Sequence, residues 1–274
     1  MLRKSTGAIL CPSCGRITSA EAERCALCGR ARPGMWGFGD TVRRLFRGNA
    51  SQTLALACIV LYVVSLLLDP LAALRPTGLF SFLAPGPRAL QALGMTGSYA
   101  LADGRWWTLL TAIYLHGGLL HIVFNVMWIR QLGPAVEEQF GSARLVTLFT
   151  VSGAVGFMLS ALAGVPFTIG ASGSIFGLLG AMVAYGRRRG GAFGTLVLRQ
   201  YGQWALILFL FGLFMGGMVN NFAHAGGFIG GFAGGLVMAL AERRKESLVD
   251  WALALACVAA TVAAFGLSLV TAFG

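Results

Sequence analysis

Apolar residues in this chain gather into seven stretches, 50–68, 115–132, 143–164, 172–185, 203–219, 222–241 and 248–273, and most charged residues fall between them. Runs of about 17 or more residues with few charges predict membrane helices, because in lipid the backbone must satisfy its own hydrogen bonds. The pattern predicts an all-α polytopic bundle of six helices over 50–241, followed by a seventh helix within the C-terminal region 242–274. One stretch is short: at 1.5 Å per residue, 172–185 covers about 21 Å of a hydrocarbon layer roughly 30 Å thick. It predicts a helix that begins inside the membrane. No cleavable signal peptide is expected ahead of the first stretch.

Composition agrees with that pattern. Hydrophobic residues make up 57% of the chain and charged residues 11%, which excludes an ordinary soluble domain. A net charge of +11 would suit nucleic acid, yet its distribution follows the helix boundaries instead. Nine Lys and Arg precede residue 48, and Arg130, Arg144, Arg187, Arg188, Arg189, Arg199, Arg243, Arg244 and Lys245 fall on the same side of the predicted membrane. Only Arg75, Arg88 and Arg105 fall on the other, in the loop after the first stretch. The positive-inside rule then places the N-terminus in the cytoplasm and the C-terminus outside, in a cell (inner or plasma) membrane. Ser172 opens toward the outer face, about 10 Å below it, where non-helical backbone must line a cavity that water can enter.

Gly170-Ala171-Ser172-Gly173 stands at that point, at the mouth of a helix. A serine in such a turn has an uncrowded hydroxyl, and the unpaired N-terminal amides of the helix can face a developing oxyanion. A base is needed, and the chain has three histidines, His116, His121 and His224, all in or beside apolar stretches. Ionisable side chains at membrane depth mark function by default. The stretch carrying His224 has glycines at 226, 230 and 234 and again at 227, 231 and 235, while Gly173, Gly177 and Gly180 stripe the stretch carrying Ser172. Small residues at this spacing bring helix backbones close, as a side chain as short as serine requires to reach a histidine on another helix.

His121 and Asn125 are four apart and share a helix face, so both can donate to the negative oxygen of a tetrahedral intermediate; the plainer alternative is a polar clasp between helices. His116, five residues from His121, is expected to point away from it and to tie the preceding loop to the helix. Asp69, Asp103, Glu137 and Glu138 do not fall where they could orient His224. A dyad is expected, with a neutral His224 taking the proton of Ser172.

These residues resemble the motifs of the rhomboid family of intramembrane serine proteases over roughly 50–241: His116-x4-His121-x3-Asn125, Gly170-x-Ser172-Gly173, and Ala223-His224-x2-Gly227-x3-Gly231. The resemblance implies that Ser172 is the nucleophile and His224 the general base, with an oxyanion hole made by His121, Asn125 and the backbone amide of Ser172. It implies that Phe176 packs against the catalytic histidine and that Glu137 braces the cytoplasmic end. The partners implied are membrane lipids and transmembrane protein substrates, cut near the outer surface; no nucleic acid and no catalytic cofactor are expected. Arg105-Trp106-Trp107-Thr108 departs from the Trp-Arg that the family often shows before the first histidine, so the anchoring of the outer loop does not carry over. A seventh helix is known in the family and is not needed for catalysis.

Cys11-Pro-Ser-Cys14-Gly and Cys25-Ala-Leu-Cys28-Gly form two Cys-x2-Cys knuckles ten residues apart. That spacing predicts a zinc-ribbon-like domain over 1–34 with Cys11, Cys14, Cys25 and Cys28 around one structural zinc ion, since four thiolates leave no position for a reacting water. A redox dithiol or a metal-free ribbon are the alternatives. A cytoplasmic partner could dock on it, and 35–49 reads as a basic juxtamembrane linker. Cys58 and Cys257 are expected to pack within helices.

The function that the resemblance implies is an intramembrane serine endopeptidase. Its rival is a catalytically idle rhomboid-like scaffold or chaperone that binds transmembrane helices and needs neither Ser172 nor His224. A transporter is disfavoured, because the polar residues gather toward one half of the predicted membrane.

Overall fold

The computed structural model describes residues 6–11, 16–27, 29, 32–34, 50–74, 78, 81–239 and 246–273. The chain divides into two compact units, Met1–Asn49 and Ala50–Gly274.

In the first unit Ala8–Leu10 (β1) and Ile17–Ser19 (β2) pair antiparallel, with Ile9 opposite Thr18. The Cys11 amide donates to the Arg16 carbonyl at 2.8 Å and closes the hairpin, while Gly29, at φ 70°, donates to the Cys25 carbonyl at 2.9 Å. Cys11 and Cys25, which begin these two turns, are both buried. Cys14, Cys28 and the linker 35–49 lie outside the described residues. Among the described residues no group of three or more His, Cys, Asp or Glu is placed to hold a metal.

The second unit is built from helices. After Ala50–Leu68 (α1), the chain folds Pro70–Ala73 (α2), Pro87–Ala92 (α3), Ser98–Ala102 (α4) and Thr108–Thr111 (α5), with a 3-10 turn at Ala112–Tyr114. Long helices follow at Leu119–Phe140 (α6), Ser142–Leu162 (α7), Ser172–Arg189 (α8), Gly191–Phe214 (α9), Asn221–Ala239 (α10) and Leu248–Phe273 (α11). Among the described residues α1, α6, α7, α9 and α11 are long and apolar enough to cross a membrane, as expected of a multi-pass membrane protein. The two remaining long helices, α8 and α10, are the ones that carry Ser172 and His224.

Three elements differ from their expected spans for identifiable reasons. Helix α8 runs four residues past Tyr185, to Arg189, because arginine is a good helix former and its charge suits the negative C-terminal end of the helix dipole. Its 18 residues reach about 27 Å rather than about 21 Å. Helix α9 begins at Gly191 rather than 203, because Gly186 and Gly194 let it pack on α8: a Cβ on Gly186 would stand 2.8 Å from the Gly194 carbonyl. It ends at Phe214, before Gly216 and Gly217 turn the chain at φ 57° and 85°. Helix α6 begins at Leu119 rather than 115 and continues through Pro134 to Gly141, where φ is 95°.

The core is α7, α8 and α10. Helices α8 and α10 run parallel with glycines interleaved: Cβ atoms on Gly227, Gly231 and Gly235 would meet the backbone of Gly173, Gly177 and Ala181 in turn. Helix α7 runs antiparallel to both, with Gly156 against the Ala223 carbonyl and Gly153 against Ser174. Without side chains between them, backbones approach to direct contact, which is how helices gain packing energy in lipid.

Helix α11 is fastened at both ends. Arg144, buried near the start of α7, donates from Nε and Nη2 to the two oxygens of Asp250, each at 3.0 Å. Glu246 accepts from the amides of Ala143 and Arg144, at 2.6 and 3.2 Å, and so satisfies the N-terminus of α7. At the other end Trp107 Nε1 donates to Ser268 Oγ at 3.2 Å.

Candidate active site

Ser172 is the first residue of α8, after Gly170 at φ 120° and an N-cap Ala171 that contributes no side-chain hydrogen bond. The first amides of the helix are therefore uncapped by any side chain. Gly170 cannot be replaced cheaply, since a Cβ there would stand 2.6 Å from His121 Nε2. Its amide donates to the Ala112 carbonyl at 2.9 Å, which pins the turn to the segment before α6.

His224 lies in the first turn of α10 and its Nε2 is 2.9 Å from Ser172 Oγ. The ring is buried and stacks on Phe176, with centroids 4.2 Å apart and planes inclined by 16°. Phe176 sits one turn after Ser172, so one face of α8 presents both groups that touch the imidazole. His224 Nδ1 is buried and has no hydrogen-bond partner among the described residues. Among the described residues no carboxylate bonds this ring.

His121 and Asn125 lie on α6 across from the Gly170 turn. The Gly117 amide donates to His121 Nδ1 at 3.2 Å, so in the neutral ring the proton sits on Nε2, which points at Gly170. Asn125 donates one amide hydrogen to the His121 carbonyl of its own helix at 2.8 Å, and its Oδ1 is buried with no partner among the described residues. Among the described residues neither side chain bonds another helix. His116 does not point away from His121: the rings meet edge to face with centroids 5.0 Å apart. Five-residue helical spacing does not apply, because His116 precedes α6 and Gly117 and Gly118 turn the chain back. His116 donates from Nδ1 to the Tyr114 carbonyl at 3.2 Å, a bond within the segment that precedes α6.

Glu137 lies at the far end of α6 from His121. Its carboxylate accepts from the Ala50 amide at 2.8 Å, Ser51 Oγ at 3.3 Å and Ser142 Oγ at 2.5 Å, and so joins α1, α6 and α7. Gly173, Gly227 and Gly231 are the contact points of α8 and α10 described above.

One residue at the site escaped the sequence reading. Asn220 caps α10 by accepting from the Ala223 amide at 3.1 Å, and its carbonyl accepts from the His224 amide at 3.2 Å. Its Nδ2 donates to Ser160 Oγ on α7 at 2.6 Å and to Thr168 Oγ1 at 2.9 Å. Thr168 pairs with Thr96 through backbone bonds of 3.3 and 2.8 Å, and Thr108 Oγ1 donates to Thr96 Oγ1 at 2.9 Å. A chain of buried polar contacts thus runs from the first loop to the turn that carries His224. The available signal was an asparagine just before a helix start.

The rhomboid-domain family profile matches residues 103–241. The chain is 36% identical to rhomboid protease GluP of Bacillus subtilis over 146 residues, 52% of this chain and 28% of that protein. It is 33% identical to RHOMBOID-like protein 5 of Arabidopsis thaliana over 170 residues, 58% of this chain and 52% of that protein. It is also 33% identical to the putative rhomboid protease YdcA of Bacillus subtilis over 153 residues, 53% of this chain and 72% of that protein. The matched region therefore spans about a quarter of GluP and about half of the plant relative.

Proposed function

Because this chain belongs to the rhomboid family, we propose that it is an intramembrane serine endopeptidase that hydrolyses peptide bonds in or near the transmembrane segments of other membrane proteins. The observation that carries the reading is the 2.9 Å contact between Ser172 Oγ and His224 Nε2, made between two helices held together by glycines.

His224 Nε2 takes the Ser172 proton as Oγ attacks the scissile carbonyl carbon. The positive charge that develops on the imidazole is met by the face of Phe176 rather than by a carboxylate. The carbonyl oxygen becomes an oxyanion and is received by the Ser172 amide, His121 Nε2–H and the free hydrogen of Asn125 Nδ2. Collapse of the tetrahedral intermediate passes the proton from His224 to the leaving amine and leaves an acyl ester on Ser172. A water, deprotonated by the same Nε2, then releases the acid. In this reading His116 and Gly170 hold the loop, and Glu137 holds the opposite end of the bundle.

The proposed topology has the N-terminus and the arginines of α8 in the cytoplasm, with Ser172 opening toward the outer face of a cell membrane. The first unit is proposed to bind one structural zinc ion through Cys11, Cys14, Cys25 and Cys28. The burial of Cys11 and Cys25 in neighbouring turns supports that reading, and a cytoplasmic partner of this unit is part of the same proposal.

The deciding experiment labels the protein with a fluorophosphonate and presents a transmembrane substrate whose helix is weakened by glycine. Wild type is expected to be labelled at Ser172 and to cleave; Ser172→Ala abolishes both, and His224→Ala strongly reduces both. Full cleavage by Ser172→Ala would end the reading.

A further inference from the structure

Eighteen of the 21 Lys and Arg lie on one side of the sequence-derived topology, and the three exceptions share the loop after α1. Arg75 is outside the described residues. The other two, Arg88 and Arg105, line the same cleft, a space of about 690 Å³ between the end of α1, helix α3 and the end of α11. Cationic side chains on the outer side run against the trend that orients the whole chain, so two of them converging on one cleft calls for a ligand.

The chemistry of the cleft is divided. Its lining includes the polar side chains of Arg88, Gln91, Arg105, Asp69 and Thr271 and the apolar ones of Leu68 and Phe273. Asp69 is engaged in capping α2, through a bond from the Ala72 amide at 3.2 Å. Arg105 reaches Asp103 only at 3.7 Å, and Arg88 is exposed with no ion pair among the described residues. The lining therefore carries two guanidinium groups against one carboxylate. Beside it Leu67, Leu71 and Phe273 are exposed at 71%, 67% and 73%, which is the surface that acyl chains cover. A cleft of this size suits a small polar group, and guanidinium groups bind phosphate through paired hydrogen bonds.

We propose that this cleft holds the phosphate of an anionic phospholipid, with Arg88 and Arg105 as donors and the acyl chains lying along the ends of α1 and α11. The proposal concerns a lipid site separate from Ser172 and His224 and does not depend on peptide-bond hydrolysis.

The test uses the full chain in phosphatidylcholine nanodiscs doped with a phosphatidylglycerol that carries a photoactivatable group near its head. After illumination, peptide mapping is expected to place crosslinks on the segment from Arg88 to Arg105 and on the last turn of α11. In the double variant Arg88→Gln, Arg105→Gln these crosslinks are expected to vanish, while those near the basic opposite end remain. The exposed single change Arg88→Gln serves if the double variant does not fold, as judged by circular-dichroism melting, and is expected to weaken the crosslinks severalfold. Inorganic phosphate is the second arm: its displacement of the crosslinks would reassign the cleft to a soluble anion. Crosslinks that persist in the variants, or that never form at these peptides, would overturn the proposal.

Discussion

Gly227 is packed against Gly173 so closely that a Cβ on it would overlap the Gly173 carbonyl oxygen. Gly227 follows His224 by three residues and Gly173 follows Ser172 by one, so this backbone contact sets the separation of the two reactive side chains. Further down the same pair of helices Gly231 meets Gly177 in the same way. The contact between Ser172 and His224 is therefore a consequence of helix spacing.

Gly227→Ala is expected to push α10 away from α8 and to lengthen the Ser172–His224 contact. Misplacement by about 1 Å lowers catalysis by about 10²-fold, so kcat/KM for a model transmembrane substrate should fall by that order. Gly266→Ala is the control, because a Cβ there meets nothing within 4 Å. It should leave kcat/KM unchanged and, as an alanine in a helix, raise stability slightly, by up to about 1 kcal/mol. Equal losses in both variants would contradict the packing argument.

Asn220→Ala removes the cap of α10 and the donors to Ser160 and Thr168. Loss of the cap alone costs about 1 kcal/mol, and the orphaned hydroxyls add to it. The expected signature is a lower kcat with KM little changed, because the turn before His224 loosens while substrate contacts stay. Asn220→Asp, which can still cap the helix and accept from both hydroxyls, should recover most of the rate. A KM effect alone would assign Asn220 to substrate binding instead.

Asp250→Asn removes the charge from the bidentate contact with the buried Arg144 guanidinium. Breaking a buried pair costs about 3–5 kcal/mol, and the lower end applies because the Asp250 side chain keeps 17% exposure. Thermal denaturation in detergent should show a clearly lower midpoint. The double change Arg144→Met, Asp250→Leu should restore much of it, since an apolar pair removes the buried charge. Failure of the double change to recover stability would point to Glu246 as the main anchor of α11.

Elemental analysis of the purified full chain is expected to find about one zinc per chain, as a four-thiolate site binds a single ion. Cys11→Ser and Cys25→Ser should each lose it. Retention of zinc by both variants would remove these cysteines from the site.

Helices α1 and α11 match their apolar stretches residue for residue, because helix formation in lipid follows from local hydropathy and length. Ser172 and His224 were legible for a related reason: glycine at every fourth position predicts close helix contact wherever it occurs. The first half of α9 was not legible, since its polar residues are held as helix by packing on α8. The edge contact of His116 with His121 was also hidden, because it depends on where α6 begins.

The sequence by itself determined the class of molecule, the presence of its long apolar helices and the side chains with chemistry to offer. Periodicity and composition are properties of one segment at a time, so they can be read without knowing its neighbours. Only the tertiary structure decided which groups meet: the Asn220 network, the Arg144–Asp250 tie and the two arginines at one cleft. Each joins residues more than fifteen positions apart, and which faces come together depends on the packing of the whole bundle.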